Sequence, residues 1–293
     1  MISFKQFCES SFAEIPGKQE NRQMEFAMLR KKGILSQLSN RNTISVFSLP
    51  AEYAYELYLS KVTGKQIISF GTDYNLPNLV KNARIVAGTG KIIPFVTSTA
   101  ANINKIIINP EAYSFYKVDP IRGHTSESVI LPKDLDVIDL DYTRIPLSPS
   151  MNLGKKLGGN SFIYVTKAAQ FLKPNGIICV TFLLEYRGSN YLTTTRDPEY
   201  QDLIKKHEIQ PGEPFKAKPI KYHLKVNNLK SKIYSSPEER YATNAKIGNE
   251  YISQIWATSQ DPEFNIPLRL VFHNMYQGKH NNNVMFRAVF QKA

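Results

Sequence analysis

The sequence is poor in the residues that form disulfides and metal sites. Its 293 residues include two cysteines, Cys8 and Cys179, which are far apart and lie in unlike surroundings. Such a pair gives neither a disulfide framework nor a zinc site, and it is compatible with a reducing compartment. The five histidines are scattered without the spacing of metal ligands, so we predict no metal site.

Long apolar runs are also missing. No window approaches the roughly 18 to 20 consecutive apolar residues of a membrane span, and the first residues lack the apolar core of a secretory signal. We therefore expect a soluble, cytoplasmic protein with no membrane partner. The abundance of Asn, Ile, Lys and Tyr suggests an AT-rich genome and hence a virus or phage. On that hypothesis the location is the host cytoplasm or a virion, and a viral or host protein is a candidate partner.

The charge balance, in contrast, is strongly positive. Lys and Arg number 37 against 25 Asp and Glu, which gives a net charge of +12. An excess of this kind suits a polyanion such as nucleic acid, whose phosphates attract cations through counterion release, or less often an anionic membrane surface. The plain alternative is that the charge serves solubility alone.

The chain is expected to have one main domain preceded by a short N-terminal part. Residues 1–40 are predicted to form an arm and a basic amphipathic helix that is broken near Gly33. The plain alternative is that this helix packs on the main domain. Residues 41–293 are long enough to bury a large core and are expected to form that domain.

Strands and helices alternate from residue 43 onward. Runs rich in β-branched and aromatic residues predict strands at Thr43–Ser48, Gln66–Gly71 and Lys91–Val96. Helices are predicted between them, over residues 51–61 and from Leu76 through Ala83. This alternation is typical of an α/β fold with a parallel sheet.

The next stretch gives a weaker pattern. Residues 105–108 fit a fourth strand or an edge piece. Residues 109–135 contain several prolines together with glycine and serine, so they are expected to be mostly irregular.

A short acidic strand follows at Asp136–Tyr142. Its Val, Ile and Leu run is too brief for a helix and predicts a buried parallel strand. Ligands of open α/β sheets bind outside the carboxyl ends of the strands. Asp139 and Asp141 lie at that end, and their spacing of two places both carboxylates on one side of the strand.

The second half continues the alternation. A helix is predicted over 161–172, followed by a Pro-Asn-Gly turn and an apolar strand at Ile177–Leu184. A helix start at Ser236 begins a helix to about Thr258, in which Tyr251, Ile255 and Trp256 are expected to be core residues. Two last strands, over 268–272 and 284–290, are predicted to pair as a hairpin.

This order of elements resembles the class I S-adenosylmethionine-dependent methyltransferases over roughly residues 40 to 290. Asp136–Tyr142 is similar to the family's fourth strand and motif IV, and residues 171–181 are similar to its helix, Leu-Lys-Pro-Gly-Gly turn and fifth strand. The resemblance implies a Rossmann-like sandwich with a mostly parallel sheet and a C-terminal antiparallel hairpin. It also implies S-adenosylmethionine as cofactor and, with the positive charge, methylation of nucleic acid.

The resemblance also implies site residues. Ser48, Leu49 and Glu52 after the first strand, and Asp73 after the second, would contact the cofactor. The residues implied for catalysis are Asp139, Asp141 and Tyr142. A carboxylate there can accept hydrogen bonds from a substrate amine, and a neighbouring Tyr can stack on a base. The plain alternative is that Asp139 caps a helix or pairs with a lysine, and that Tyr142 packs.

One segment departs from the family's pattern. The family has a Gly-x-Gly type loop after the first strand, because glycine lets the backbone approach the cofactor closely, whereas this chain has no glycine over residues 47–52. Either the cofactor lies differently, with Glu52 or Glu56 taking part, or the site has decayed. The second case predicts an inactive methyltransferase-like protein with a structural or nucleic-acid-binding role.

A basic insertion is expected at about 209–235, where prolines and lysines accumulate. Its nucleic-acid-binding candidates are Lys216, Lys218, Lys221 and Lys225. The alternatives are a surface for protein contacts or a solvated loop.

Overall fold

One twisted sheet forms the centre of the computed structural model, which describes residues 16–50, 53–73, 75–99, 103–142, 161–185, 237–277 and 284–293. Its nine strands within these ranges stand in the order β5-β4-β3-β2-β1-β6-β7-β9-β8. The strands are β1 Thr43–Ser48, β2 Gln66–Gly71, β3 Ile92–Thr97, β4 Phe115–Asp119, β5 Gly123–Val129, β6 Leu135–Asp141, β7 Leu172–Glu185, β8 Leu268–Gln277 and β9 Val284–Lys292.

The centre of the sheet is parallel and its C-terminal edge is antiparallel. β3, β2, β1, β6 and β7 are parallel neighbours, and β9 runs antiparallel to both β7 and β8. β6 lies beside β1, and nearly all of its residues are buried, as expected of a parallel strand covered on both faces. The expected α/β, Rossmann-like methyltransferase sandwich with a C-terminal antiparallel hairpin is therefore confirmed.

Helices cover both faces of the sheet. They are α1 Pro16–Lys31, α2 Ile34–Ser39, α3 Ala54–Thr63, α4 Leu76–Ala87, α5 Ile103–Ile108, α6 Ser161–Ala169 and α7 Pro237–Ser259. Leu29, Leu57 and Leu79 from α1, α3 and α4 share one apolar layer with Val137 of β6. The opposite layer joins α5, α6 and α7 to Ile138 of the same strand. None of the helices in the described ranges is long and apolar enough to cross a membrane.

The N-terminal helix is broken where the sequence predicts. Gly33 has a φ of 74° between α1 and α2, a backbone conformation that glycine adopts without steric cost. Phe26 and Leu29 of α1 are buried, and the Asn274 amide of β8 donates to Asn21 Oδ1 of α1 at 3.0 Å. The helix thus packs on the sheet.

Two predictions for residues 103–135 are wrong. Residues 105–108 belong to helix α5, because Ile103, Ile106 and Ile107 are buried at helical spacing. Residues 109–135 are not mostly irregular, since β4 and β5 extend the sheet beyond β3. Their turn forms because the Asp119 carboxylate accepts two backbone N–H groups, at 2.8 and 2.7 Å, a local device that hydrophobic periodicity does not reveal.

Two further differences concern the second half. Trp256 is not a core residue: it is 55% exposed, whereas Tyr251 and Ile255 are buried. Adjacent residues of a helix point about 100° apart, and here Ile255 faces the core whereas Trp256 points away from it. The Pro-Asn-Gly turn lies within β7 as an irregularity, because Leu172 pairs with Leu135 and Ile177 with Val137.

The helix predicted at the C-terminal side is confirmed as α7, with its described residues from Pro237 to Ser259. The expected basic insertion at 209–235, including Lys216, Lys218, Lys221 and Lys225, lies outside the described residues.

Helix α7 approaches the sheet closely at Gly248, which generates a test of this packing. A Cβ added there would lie 2.8 Å from a ring carbon of Phe286, a residue that is 1% exposed. Alanine normally stabilises a helix relative to glycine by about 1 kcal/mol, but overpacking a core costs about 1–3 kcal/mol. Since the cost of overpacking exceeds the gain in helix propensity, we expect Gly248→Ala to lower the free energy of unfolding in urea, by up to about 2 kcal/mol.

The control is Ala242→Gly at an exposed position of the same helix, which measures helix propensity alone. Adding Phe286→Leu to Gly248→Ala should recover part of the loss. A Gly248→Ala protein more stable than the wild type would contradict the close approach of α7 to the sheet.

Candidate functional site

The strand order reverses between β1 and β6. From β1 the chain continues to β2 and β3 on one side, and β6 and β7 lie on the other. Open α/β sheets bind ligands at such a switch point, outside the carboxyl ends of the strands. Ser48 and Asp139 are register partners there, so the end of β1 and the acid of β6 lie side by side.

Ser48 points into the protein interior. It is 2% exposed, and its hydroxyl donates to Glu56 Oε1 of α3 at 2.6 Å. Ser69 of β2 donates to the same oxygen at 3.2 Å. Burial raises the pKa of Glu56, although the hydrogen bond from Ser48 opposes the rise. Ser48 and Glu56 therefore form part of the core beneath the switch point.

In the loop after β1, Pro50 packs against the end of β2. A Cβ at Gly71, the last residue of β2, would lie 2.6 Å from Cγ of Pro50 and 3.4 Å from the hydroxyl oxygen of Tyr53. Leu49 is half-buried against the core, and Glu52 lies outside the described residues. The close approach in this region is thus that of the Pro50 ring to the backbone of Gly71.

Tyr53 ends this loop in an unusual state. Its φ is 55°, its side chain is fully buried, and its hydroxyl has no hydrogen-bond partner in the described part of the chain. Burial raises the pKa of Tyr53, and the charge of Glu56 adds to the rise, so the hydroxyl keeps its proton. An unpaired buried hydroxyl is costly, which makes it a candidate for contact with a ligand.

Asp73 follows the carboxyl end of β2. Its Oδ1 accepts the N–H of Asn75 at 2.9 Å, and Asn75 in turn caps helix α4. This Asx turn fixes the carboxylate at the strand end. A half-buried carboxylate held in this way retains capacity to accept hydrogen bonds from a ligand's hydroxyl groups.

The two acids of β6 share one side of the strand, and Tyr142 lies on the other. Asp139 and Asp141 face the layer formed by α1 to α4, as their spacing predicts. Tyr142 is buried in the opposite layer, where its ring stacks on Phe182 at 5.6 Å and its hydroxyl donates to Asn104 at 2.7 Å. The structure therefore brings the two carboxylates together and keeps Tyr142 apart from them.

Asp139 is held by a buried guanidinium. Arg287 of β9 donates through Nη1 to Asp139 Oδ1 at 2.9 Å and to Thr181 at 3.0 Å, and its Nε pairs with the carboxylate of Glu25 in α1. The Arg287 side chain is 4% exposed and that of Asp139 is 8% exposed. Burial acts to lower the pKa of Arg287, but the charges of Asp139 and Glu25 outweigh it and raise the pKa.

Two further side chains complete this buried network. The Tyr55 hydroxyl donates to Glu25 at 3.2 Å and lies 3.4 Å from the Cys179 sulfur, and the Arg287 guanidinium lies 5.3 Å from the Tyr55 ring centroid. Burial raises the pKa of the Cys179 thiol, and Glu25 adds to the rise. The thiol therefore stays neutral and is not a nucleophile.

The sequence pattern did not predict the roles of Arg287 and Glu25, the two charged residues that join Asp139 in this network. Arg287 is the one charged residue in the apolar run 284–290, and Glu25 immediately precedes the core residue Phe26. A charge inside an apolar run was therefore the available signal, since buried charges are normally paired.

Asp141 has a different partner and a different environment. The Lys18 ammonium of α1 donates to Asp141 Oδ2 at 2.5 Å, and the two side chains are 29% and 20% exposed. Burial acts to raise the pKa of Asp141, but the charge and hydrogen bond of Lys18 outweigh it and hold the pKa low. Burial raises the pKa of Tyr276 in β8, and the negative charge of Asp141 adds to the rise.

The energies of the two ion pairs separate the roles of the two acids. Removing one partner of a buried pair costs about 3–5 kcal/mol, because it leaves a charge uncompensated. A solvent-exposed pair contributes about 0.2–1 kcal/mol, and the partly exposed pair of Lys18 and Asp141 is nearer to this case. Asp139 is thus fixed in place by Arg287, whereas the pair between Asp141 and Lys18 costs less to separate.

This difference predicts unequal effects of two matched substitutions. We expect Arg287→Met to lower the free energy of unfolding by about 3–5 kcal/mol, and Lys18→Met to change it by less than about 1 kcal/mol. Both remove one positive charge and keep an apolar stem. Urea denaturation measures both values.

Adding Glu25→Gln and Asp139→Asn to Arg287→Met should recover part of the lost stability, because the unpaired charges are then gone. Equal losses for the two single variants would show that the pairs do not differ as their burial indicates.

Comparisons with known proteins identify no close relative. No protein-family model matches the chain, and no curated protein matches it. Among solved structures, Trm5b from Pyrococcus abyssi matches at 10% identity, over 91% of this chain and 49% of that one, with a TM-score of 0.37. The chain thus spans about half the length of that protein.

Two other structures match to a similar degree. The Methanococcus jannaschii fibrillarin pre-rRNA processing protein matches at 12% identity, over 86% of this chain and 69% of that one, with a TM-score of 0.39. Aeropyrum pernix fibrillarin, in complex with natively bound S-adenosyl-L-methionine, matches at 10%, over 90% and 74%, with a TM-score of 0.37. At such identities and TM-scores the likenesses carry nothing about the site, which is interpreted from the chain's own residues.

Proposed function

We propose that the chain is an S-adenosylmethionine-dependent methyltransferase that acts on nucleic acid. The observation that carries this proposal is the partly exposed carboxylate of Asp141 at the carboxyl end of β6, beside the point where the strand order reverses. Asp73 lies at the carboxyl end of β2 on the same edge of the sheet. The net charge of +12 supports a polyanionic substrate.

Among the described residues, Asp73 and Tyr53 fit the cofactor. The Asp73 carboxylate would accept hydrogen bonds from the ribose hydroxyls, and the unpaired Tyr53 hydroxyl would gain a partner on binding. Pro50 occupies the approach to Gly71 that a glycine loop would leave to the ligand. The residues therefore fit a cofactor held mainly through its ribose.

Methyl transfer needs orientation of the reactants more than acid–base chemistry. The cofactor supplies an electrophilic methyl group when it is bound. Asp141 would accept a hydrogen bond from the substrate and orient it. Asp139, fixed by Arg287, and Tyr142, packed on Phe182, would shape the strand end from within.

Calorimetric titration with S-adenosylmethionine and with its demethylated product tests the cofactor proposal. We expect binding by the wild type, and binding about tenfold weaker or more by Asp73→Asn, because hydrogen bonds to a charged group contribute about 1.5–3 kcal/mol. The amide oxygen of Asn can still accept the Asn75 N–H, so the turn is kept. Asp134→Asn, at an exposed carboxylate, is the matched control.

A second candidate is a methyltransferase-like fold without catalysis, with a structural or nucleic-acid-binding role. The packing of Pro50 against Gly71 favours it, because this packing takes up space next to the switch point. Absence of binding at millimolar cofactor would support this candidate. Transfer of labelled methyl groups to RNA or DNA that disappears in Asp141→Asn would exclude it. A viral source, a virion role and a viral or host partner stay hypotheses from composition.

The lysines of the basic insertion give the nucleic-acid proposal its own test. If Lys216, Lys218, Lys221 and Lys225 grip phosphates, each lost contact lowers the slope of log affinity against log salt by about 0.9 on duplex DNA. We expect the alanine variant at Lys216, Lys221 and Lys225 to have a slope lower by roughly 2 to 3. Its stability should change by about 0.5 kcal/mol or less, as at exposed sites.

The control carries the same change of charge at the end of the sheet away from the candidate site. Lys61 lies in the last turn of helix α3, and Lys65 and Lys91 directly precede β2 and β3, so all three lie near the amino ends of strands. Their triple alanine variant should keep most of the wild-type slope. Equal slopes in the two variants would mean that net charge alone explains the salt dependence. A specific role of the insertion in binding phosphates would then be excluded.

A further inference from the structure

Helix α1 places a cation, the Lys18 ammonium, against Asp141, the carboxylate that is proposed to bind the substrate. Lys18 lies in its first turn, with the ammonium nitrogen 2.5 Å from Asp141 Oδ2. Lys18, Arg22 and Glu25 recur at helical spacing on one face of α1, and Glu25 is fixed to the buried Arg287. The position of Lys18 is thus set by a buried ion pair farther along the same helix.

The contact between Lys18 and Asp141 resembles the contact that a substrate amine would make with this carboxylate. A base amine, such as N6 of adenine or N4 of cytosine, offers a nitrogen with hydrogens, and the Lys18 ammonium offers the same kind of donor to the same carboxylate oxygen. The pair is open to water, at 29% and 20% exposure. The Lys18 ammonium therefore occupies an acceptor that an incoming amine could use.

We propose that Lys18 is an internal stand-in for the substrate amine, a role that rests on the proposed function of this site. Without nucleic acid, the Lys18 ammonium donates to the Asp141 carboxylate and so blocks it. When nucleic acid binds, its phosphates attract Lys18 away, and Asp141 accepts a hydrogen bond from the exocyclic amine of the target base. The site thereby selects bases that carry an exocyclic amine, and α1 keeps it closed in their absence.

The surroundings of Asp141 support this exchange. The positive charges of Arg287 and Arg22 both act on Asp141, so the carboxylate keeps cationic neighbours after Lys18 leaves and remains an acceptor. The Arg22 guanidinium lies 6.0 Å from the Tyr55 ring centroid, on the same helix face as Lys18.

Replacement of the missing side chain by a small amine tests the exchange directly. Lys18→Ala removes the atoms that n-propylammonium supplies. Titration of this variant with n-propylammonium should shift the carboxyl carbon resonance of Asp141 saturably in NMR spectra, with the resonance assigned from Asp141→Asn. Tetramethylammonium has the same charge and no N–H donor, so it should give no saturable shift.

The matched control is Lys31→Ala, at an exposed lysine in the last turn of the same helix, which should leave the Asp141 resonance unresponsive to either cation. The same response of the Lys18→Ala variant to both cations would overturn the proposal, because charge alone would then explain the contact.

Selectivity for base amines is measured with single strands and without cofactor. Short homopolymers of deoxyadenosine and of thymidine carry the same phosphates, so the ratio of their affinities isolates the base. We expect Lys18→Ala to raise this ratio roughly tenfold over the wild type, the value of one hydrogen bond to a charged group. Fluorescence anisotropy gives the dissociation constants.

The increase should vanish when Asp141→Asn is added, and Lys31→Ala should keep the wild-type ratio. An unchanged ratio in Lys18→Ala, or a raised ratio that survives Asp141→Asn, would overturn the proposal. A chain that fails to bind S-adenosylmethionine could still give the expected ratios, so this result and the failure of the proposed methyl transfer are distinguishable.

Discussion

The described structure depends most on the two ion pairs of the Arg287 guanidinium. Arg287 lies on β9 and joins Glu25 of α1 to Asp139 of β6. Glu25 and Asp139 are remote from Arg287 in sequence and meet it only in the folded sheet. Two carboxylates around one guanidinium are tolerated in the interior because each is compensated by charge and by hydrogen bonds. The C-terminal strand therefore fixes both the N-terminal helix and the acid at the switch point.

The ion pair between Glu25 and Arg287 also bears on the domain boundary. The boundary near residue 40 stays a prediction, although the core of the main domain includes Phe26 and Leu29 of α1. A helix anchored in this way is a rigid support for the residues at its beginning. Lys18 lies against Asp141 because Glu25 and the buried residues of α1 set the position of the helix.

Local pattern predicted the elements whose signals are local. β1 and β2 have the predicted bounds, because their apolar runs end at turn residues. Helix α5 and the β4–β5 pair were missed, since their stretches are short and a side-chain turn at Asp119 forms the connection. The partner of Asp139 could not be predicted either, because periodicity assigns a residue to a face and carries no information on which distant charge arrives there.

Asp139 and Asp141 show how one strand gives two carboxylates different chemistry. They point to the same side of β6, yet the inner one is sealed beside Arg287 and the outer one meets water and Lys18. Desolvation grows along the strand toward the core, and with it the cost of separating a pair. A ligand can therefore compete for Asp141 while Asp139 remains paired. Exchange at the outer carboxylate is possible because the inner one is already satisfied by the fold.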